Sequence, residues 1–374
     1  MFTNGLKVLA LAISLAMCGV AAVGQKTAGN APLKLNQIQV IGTHNSYHAG
    51  IAPSEATLWQ AKRPDIYQTL DYRHPALAEQ FDGGVRQIEL DIYADAAGGR
   101  FAHPAGPQIV AQAQLPPDPA FDPNGVFARP GFKVMHVQDF DYRSVCQPFK
   151  ACLEEVRRWS QAHPEHTPIF ILVEAKRDSE EGGVQLTPVE PFTPAAYDAL
   201  DAEILSVFKR DELVVPDDVR GNYATLNQAV LAGNWPTLAS ARGKIVFLLE
   251  PRWSGKDYLV GHPSLRGRLL FTNAEPGQPD AAYTECNEGP AETITALVRQ
   301  GYLVRARSDA DTAEARANDT RRRDAMLQSG AQIVSTDYPA SEPARWEGHY
   351  TVTLPGNADA RCNPVNTPVD CQIK

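Results

Sequence analysis

The sequence predicts an α/β fold, a single parallel (β/α)8 barrel of the TIM type. Three observations predict it. Eight short apolar runs rich in β-branched residues alternate with helix-like stretches along most of the chain. Some of these runs are apolar throughout, as strands buried on both faces of a parallel sheet are. Polar or titratable residues end four consecutive runs, at the edge where a parallel barrel carries its chemistry.

The first element is a targeting segment. Lys7 precedes an apolar run over residues 8–17, and Ala21, Ala22 and Gly24 follow. This is a secretory signal pattern over residues 1–24, with cleavage expected after Gly24. The run is shorter than the ~20 residues that span a bilayer. A lipoprotein anchor through Cys18 is disfavoured, because Met17 stands where such sites take a small residue. No other stretch is long and apolar enough to span, so the mature chain is expected to be soluble and exported, secreted or periplasmic. Residues 25–374 are then expected to form one barrel domain with a C-terminal extension.

The 374 residues suffice for one large domain, and the composition is that of a globular protein. A net charge of −9 argues against nonspecific nucleic-acid binding, though not against a local phosphate pocket. In an oxidising compartment Cys146–Cys152 and Cys362–Cys371 are natural local pairs, which leaves Cys286 over.

Residues 38–42 form the first expected strand. Val40 and Ile41 supply β-branched bulk, Gly42 ends the run, and His44 and Asn45 follow. The second strand is 85–92, where period-two alternation puts Glu89 and Asp91 on one side. A long Gly- and Pro-rich loop over 94–130 contains His103, read as a structural or surface histidine. The third strand, 132–136, ends in His136. A helix over 146–159 follows, and His163 and His166 beyond it read as a solvated turn. The fourth strand, 169–174, ends in Glu174. Strands at 243–250, 269–271, 301–307 and 332–337 complete eight, with helices at 194–209, 291–300 and 310–329. No clear helix follows strand two, so the barrel is expected to be irregular there.

The strand ends gather His44, Asn45, Glu89, Asp91, His136 and Glu174. Asn45 and the three carboxylates offer only oxygen, which suits Ca²⁺ or Mg²⁺ and suits zinc poorly. Two histidines beside such a cation are what cleavage of a phosphodiester by an internal hydroxyl needs. One group takes the hydroxyl proton and another protonates the leaving oxygen. Lys176 is a candidate phosphate contact or a surface lysine. Arg305 and Arg307 share one side of their strand, facing either a phosphate or the nearby Asp309.

In the order His44-Asn45, Glu89-x-Asp91, His136 and Glu174, and in the stretch IGTHNSYH, the chain resembles the calcium-dependent phosphatidylinositol-specific phospholipases C, the bacterial secreted members above all. The resemblance runs from Ile38 to about Tyr338. It implies a PLC-like phosphodiesterase barrel. His44 and His136 would be the catalytic pair, their acid and base roles left open, and calcium would sit on Asn45, Glu89, Asp91 and Glu174. The implied partner is a phospholipid at a membrane surface, attacked by a monomer. The related glycerophosphodiester phosphodiesterases typically carry His-Arg where this chain has His44-Asn45. The sequences Glu174-Ala175-Lys176 and Ile333-Val334-Ser335-Thr336-Asp337-Tyr338-Pro339 point their way and keep that hydrolase as the alternative. A non-catalytic calcium-binding barrel is the alternative of another class.

Overall fold

Strand β1 (Ile38–Thr43) lies at the centre of a curled parallel sheet, between β2 (Gln87–Tyr93) and β10 (Ile333–Thr336). The computed structural model describes residues 32–181 and 184–373, so the expected signal segment lies outside the described residues. On one side β2 pairs with β4 (Ile169–Ala175), and β4 pairs with β6 (Ile245–Leu249). The far edge of β6 carries β5 (Leu213–Val214) on its first half and β7 (Leu270–Thr272) on its second. On the other side β10 pairs with β9 (Leu303–Arg307), and β9 with β8 (Tyr283–Glu285). A single parallel bridge, Asn273 to Tyr283, joins the two ends of the sheet. The strands run round as β1, β2, β4, β6, β7, β8, β9 and β10, and Leu33–Lys374 pack as one compact unit.

Eight strands form the ring, but not the expected eight. Lys133–Val134, here β3, is a two-residue piece that pairs antiparallel with the end of β2. It lies on the rim, so His136 does not end a barrel strand. Tyr283–Glu285 takes the vacant place. The expected irregularity after β2 is present. The 94–130 loop does contain a helix, Ala105–Gln112. The helix expected over 310–329 is two, Ala313–Ala317 and Arg321–Ser329, separated where Asn318 turns left-handed at φ 47°.

Local chemistry explains these elements. Ile169 to Val173 are buried throughout, because helices cover the outer face of β4 and the lumen its inner face. The helix Phe149–Ala162 buries Phe149, Cys152, Leu153, Val156 and Trp159, spaced as one helical face. His166 is buried rather than solvated, and Ser160 and the Thr167 carbonyl satisfy its ring. Gly42 is required by close approach. A β-carbon there would lie 2.0 Å from Gln87 Oε1 and 2.7 Å from Gln87 Cβ. Both expected disulfides, Cys146–Cys152 and Cys362–Cys371, are formed, and among the described residues Cys286 is free. The second disulfide secures β11 (Arg361–Cys362), which pairs antiparallel with the start of β1.

Candidate active site

Strand register assembles the site. Glu89 and Asp91 alternate onto the lumen side of β2, and Asp91 stands opposite Glu174 of β4. Arg305 of β9 stands opposite Glu285 of β8, and Arg307 opposite Ser335 of β10. Asp337, two residues past Ser335, falls on the same side.

The loop after β1 carries His44 over this mouth. The His44 amide donates to the Thr336 carbonyl at 3.0 Å, which prolongs the β1–β10 ladder. Asn45 then turns left-handed at φ 43°, a conformation asparagine tolerates better than most residues. Ser46 fastens the loop to β2, with its hydroxyl accepting from the Glu89 amide at 2.8 Å.

Each of the two histidines is tethered through Nδ1. His44 Nδ1 lies 2.9 Å from Asp337 Oδ1, which points Nε2 at Glu89 Oε1, 3.7 Å away. His74 Nε2 meets the His44 carbonyl oxygen at 3.0 Å and is itself held by Glu342 at 2.7 Å. Burial, then Arg307 and Arg305, lower the His44 pKa well below the usual histidine value, so the ring is neutral near pH 7. His136 Nδ1 lies 2.9 Å from Asp141 Oδ2, and the other Asp141 oxygen lies 2.9 Å from His48 Nε2. Burial alone would raise Asp141. His48 and His136 outweigh it and hold the carboxyl well below its usual range.

Oxygen atoms of Glu89, Asp91 and Glu174 lie within 4.8 Å of one another. Burial and then Glu174 raise the Asp91 pKa well above its usual value, the response of crowded carboxylates that a cation relieves. Glu174 goes the other way. Burial opposes ionisation, but Lys176 overrides it and lowers the pKa. The Lys176 ammonium lies 3.1 Å from Asp91 Oδ2 and 3.1 Å from Glu174 Oε1. Arg305, 1% exposed, bonds Glu89 Oε2 and Ser335 Oγ and approaches Glu285 at 4.0 Å. Arg307 approaches Asp337 at 3.4 Å. Among the described residues neither arginine pairs with Asp309, which instead accepts from Thr336, Ser308 and the Asp337 amide.

His44, Glu89, Asp91, Glu174, Lys176, Arg305 and Arg307 thus come together. His136 stands beside them on the rim, brought there by Asp141. Asn45 is held by its amide, with Nδ2 on Tyr72 at 2.9 Å and Oδ1 accepting from Tyr47 at 3.2 Å. Asp141, Asp337, His48, Tyr72 and His74 were not singled out as site residues by the sequence. The one signal was that His48 and Asp337 fall inside two of the quoted motif stretches.

Residues 33–364 match the family described as phosphoinositide phospholipase C, Ca²⁺-dependent. The chain belongs to that family. This phospholipase C is accordingly a calcium-dependent phosphodiesterase with a lipid substrate. No curated protein matches it significantly in sequence. Among solved structures it is similar to a calcium-dependent phosphoinositol-specific phospholipase C from a Gram-negative bacterium, Pseudomonas sp. In the apo crystal form 2 that enzyme is 15% identical, with a TM-score of 0.52 over 88% of this chain and 95% of that one. Its myo-inositol complex gives 16% identity and a TM-score of 0.51 over 88% and 96%. At such identities the likeness shows a shared fold.

The acidic cluster of the phospholipase fits calcium. Its donors are all oxygen, and Asp91 Oδ1 is buried with no hydrogen-bond partner among the described residues. An orphaned carboxylate oxygen in such a place is costly unless a cation meets it. No helix among the described residues is long and apolar enough to cross a membrane.

Proposed function

We propose that this phospholipase C cleaves phosphatidylinositol to diacylglycerol and a cyclic inositol phosphate, with His44 and His136 moving the protons. One observation carries the reading. Two histidines, each tied through Nδ1 to a buried aspartate, flank an oxygen-only acidic cluster. In both rings Nε2 is left for the reaction.

His44, neutral near pH 7, accepts the proton of the inositol 2-hydroxyl as that oxygen bonds to phosphorus. His136, held in place by Asp141 through Nδ1, gives a proton to the diacylglycerol oxygen as its bond to phosphorus breaks. Asn45, Glu89, Asp91 and Glu174 are the proposed calcium ligands. Calcium bound there lowers the pKa of the attacking hydroxyl and offsets charge on the phosphoryl oxygens. Arg307 and Lys176 are the proposed phosphate contacts, while Arg305 serves as the counter-charge of Glu89.

Phosphorus NMR of early time points tests the chemistry. Purified protein with calcium should convert phosphatidylinositol first to a cyclic phosphodiester, and leave phosphatidylcholine and glycerophosphodiesters largely intact. A linear monophosphate formed first, carrying oxygen from labelled water, would mean direct hydrolysis and sink the mechanism. Preferred cleavage of glycerophosphodiesters would favour the alternative hydrolase.

Residues 1–24 are read as a cleaved export signal, on the strength of the Lys7-led apolar run and the small residues to Gly24. N-terminal sequencing of the exported protein should begin near Gln25. Intact Met1 on the soluble protein would overturn this.

A further inference from the structure

Two cationic side chains touch the acidic cluster, and they are built differently. Arg305 is sealed on the lumen floor. Its guanidinium is fixed by Glu89 and Ser335 as well as by its strand, and it is 1% exposed. Lys176 sits at the rim. Its backbone amide donates to the Ile92 carbonyl at 3.0 Å, which extends the β2–β4 ladder one residue past β4. Lys176 is therefore two positions beyond Glu174 on the same side. Its flexible stem curls back and lays the ammonium between Asp91 Oδ2 and Glu174 Oε1, at 3.1 Å from each. Its side chain is 18% exposed, against 0% for Asp91 and 27% for Glu174, so of the three groups in the contact only Asp91 is closed off from solvent.

A lysine ammonium has three donors and no acceptor, so it can never ligate a metal. It competes instead for the oxygens a metal would use, and two cations on the same carboxylates repel each other. An arginine locked by several partners cannot yield to such repulsion. A lysine on a four-carbon stem at the rim can, by rotating toward the open mouth.

We propose that Lys176 is a displaceable counter-ion, whose ammonium closes the Asp91–Glu174 pair and is driven out toward the mouth when calcium enters. The proposal rests on the calcium-ligand reading given above. It makes Lys176 the residue that sets how much calcium the site requires. The same displacement delivers a free ammonium to the mouth where the substrate phosphate must lie.

Calorimetric titration with calcium, on the wild type and on Lys176→Met and Lys176→Arg, tests this without substrate. Lys176→Met should bind calcium about tenfold more tightly or better, about 1.4 kcal/mol or more. Lys176→Arg keeps the charge and should not tighten binding. In parallel, reductive methylation read by mass spectrometry should label Lys176 slowly without calcium and faster in saturating calcium. Labelling needs only the wild type, so it decides the matter even if Lys176→Met folds poorly without calcium. Equal or weaker calcium binding by a folded Lys176→Met, or labelling that calcium leaves unchanged, would overturn the proposal. A wild type that gives no calcium heat would overturn the ligand reading beneath it instead.

Discussion

His44→Ala and His136→Ala should each lower turnover of phosphatidylinositol roughly 10²–10⁴-fold, the range for a positioned proton-transfer group. Both side chains are partly open to solvent at 18% and 25%, so neither substitution removes a packed core group. Circular dichroism and calcium affinity should stay close to wild type while turnover falls. The double variant should lose less than the product of the two effects, because groups that act in one step are not additive. His103→Ala and His163→Ala are the controls. His103 is exposed, and His163 lies against Trp159. Full turnover in either single variant would remove that histidine from the mechanism.

Excess chelator should take turnover to background, and calcium should restore it better than zinc, because the cluster offers carboxylate oxygens and no sulfur. Asp91→Asn should weaken calcium binding by removing one charge at nearly constant shape. It also removes one of the two carboxylates that Lys176 pairs with, and Glu174 remains as the lysine's partner. Glu89→Gln is a harsher change. It leaves Arg305, 1% exposed, without its principal counter-charge, and breaking a buried pair from one side costs about 3–5 kcal/mol. Asp91→Asn should therefore separate metal binding from stability, and Glu89→Gln should lower both. Calcium affinity by calorimetry, beside urea unfolding, reads the two apart. Undiminished activity in chelator would contradict the assigned ligands.

Much of this site is readable in the sequence, for a physical reason in each case. Side chains on a strand repeat every two residues, so Glu89-x-Asp91 and Arg305-x-Arg307 had to face one way. A strand with no polar residue before its end, such as 169–174, marks its polar terminus as special. What failed has equally plain causes. Residues 132–136 are short and offer Phe132, Val134 and Met135 as apolar members, which describes a rim strand as well as a barrel strand. Tyr283–Glu285 is too brief to stand out among Gly and Pro, yet its pairing with β9 makes it part of the ring. Asp141 and His74 lie in loops without periodicity, and Asp337 is the last residue of the 332–337 run. Their roles arise only when folding brings them to His136, His44 and the His44 carbonyl. The ion partners of Arg305 and Arg307 were missed because Glu89 and Asp337 arrive from other strands, whereas Asp309 was merely near in sequence.

Asp141 holds His136 with one oxygen and His48 with the other, so a single carboxylate ties the loop after β1 to the loop after β3. The two segments that carry the proposed catalytic histidines are in effect one transplantable module. Exchanging residues 133–145 with a relative, while keeping 44–48, would pair an acid built for one histidine with a stranger. Recombination between family members should therefore tolerate crossovers outside these segments and reject those that separate them. A designer who wishes to alter the mouth has to move both loops together.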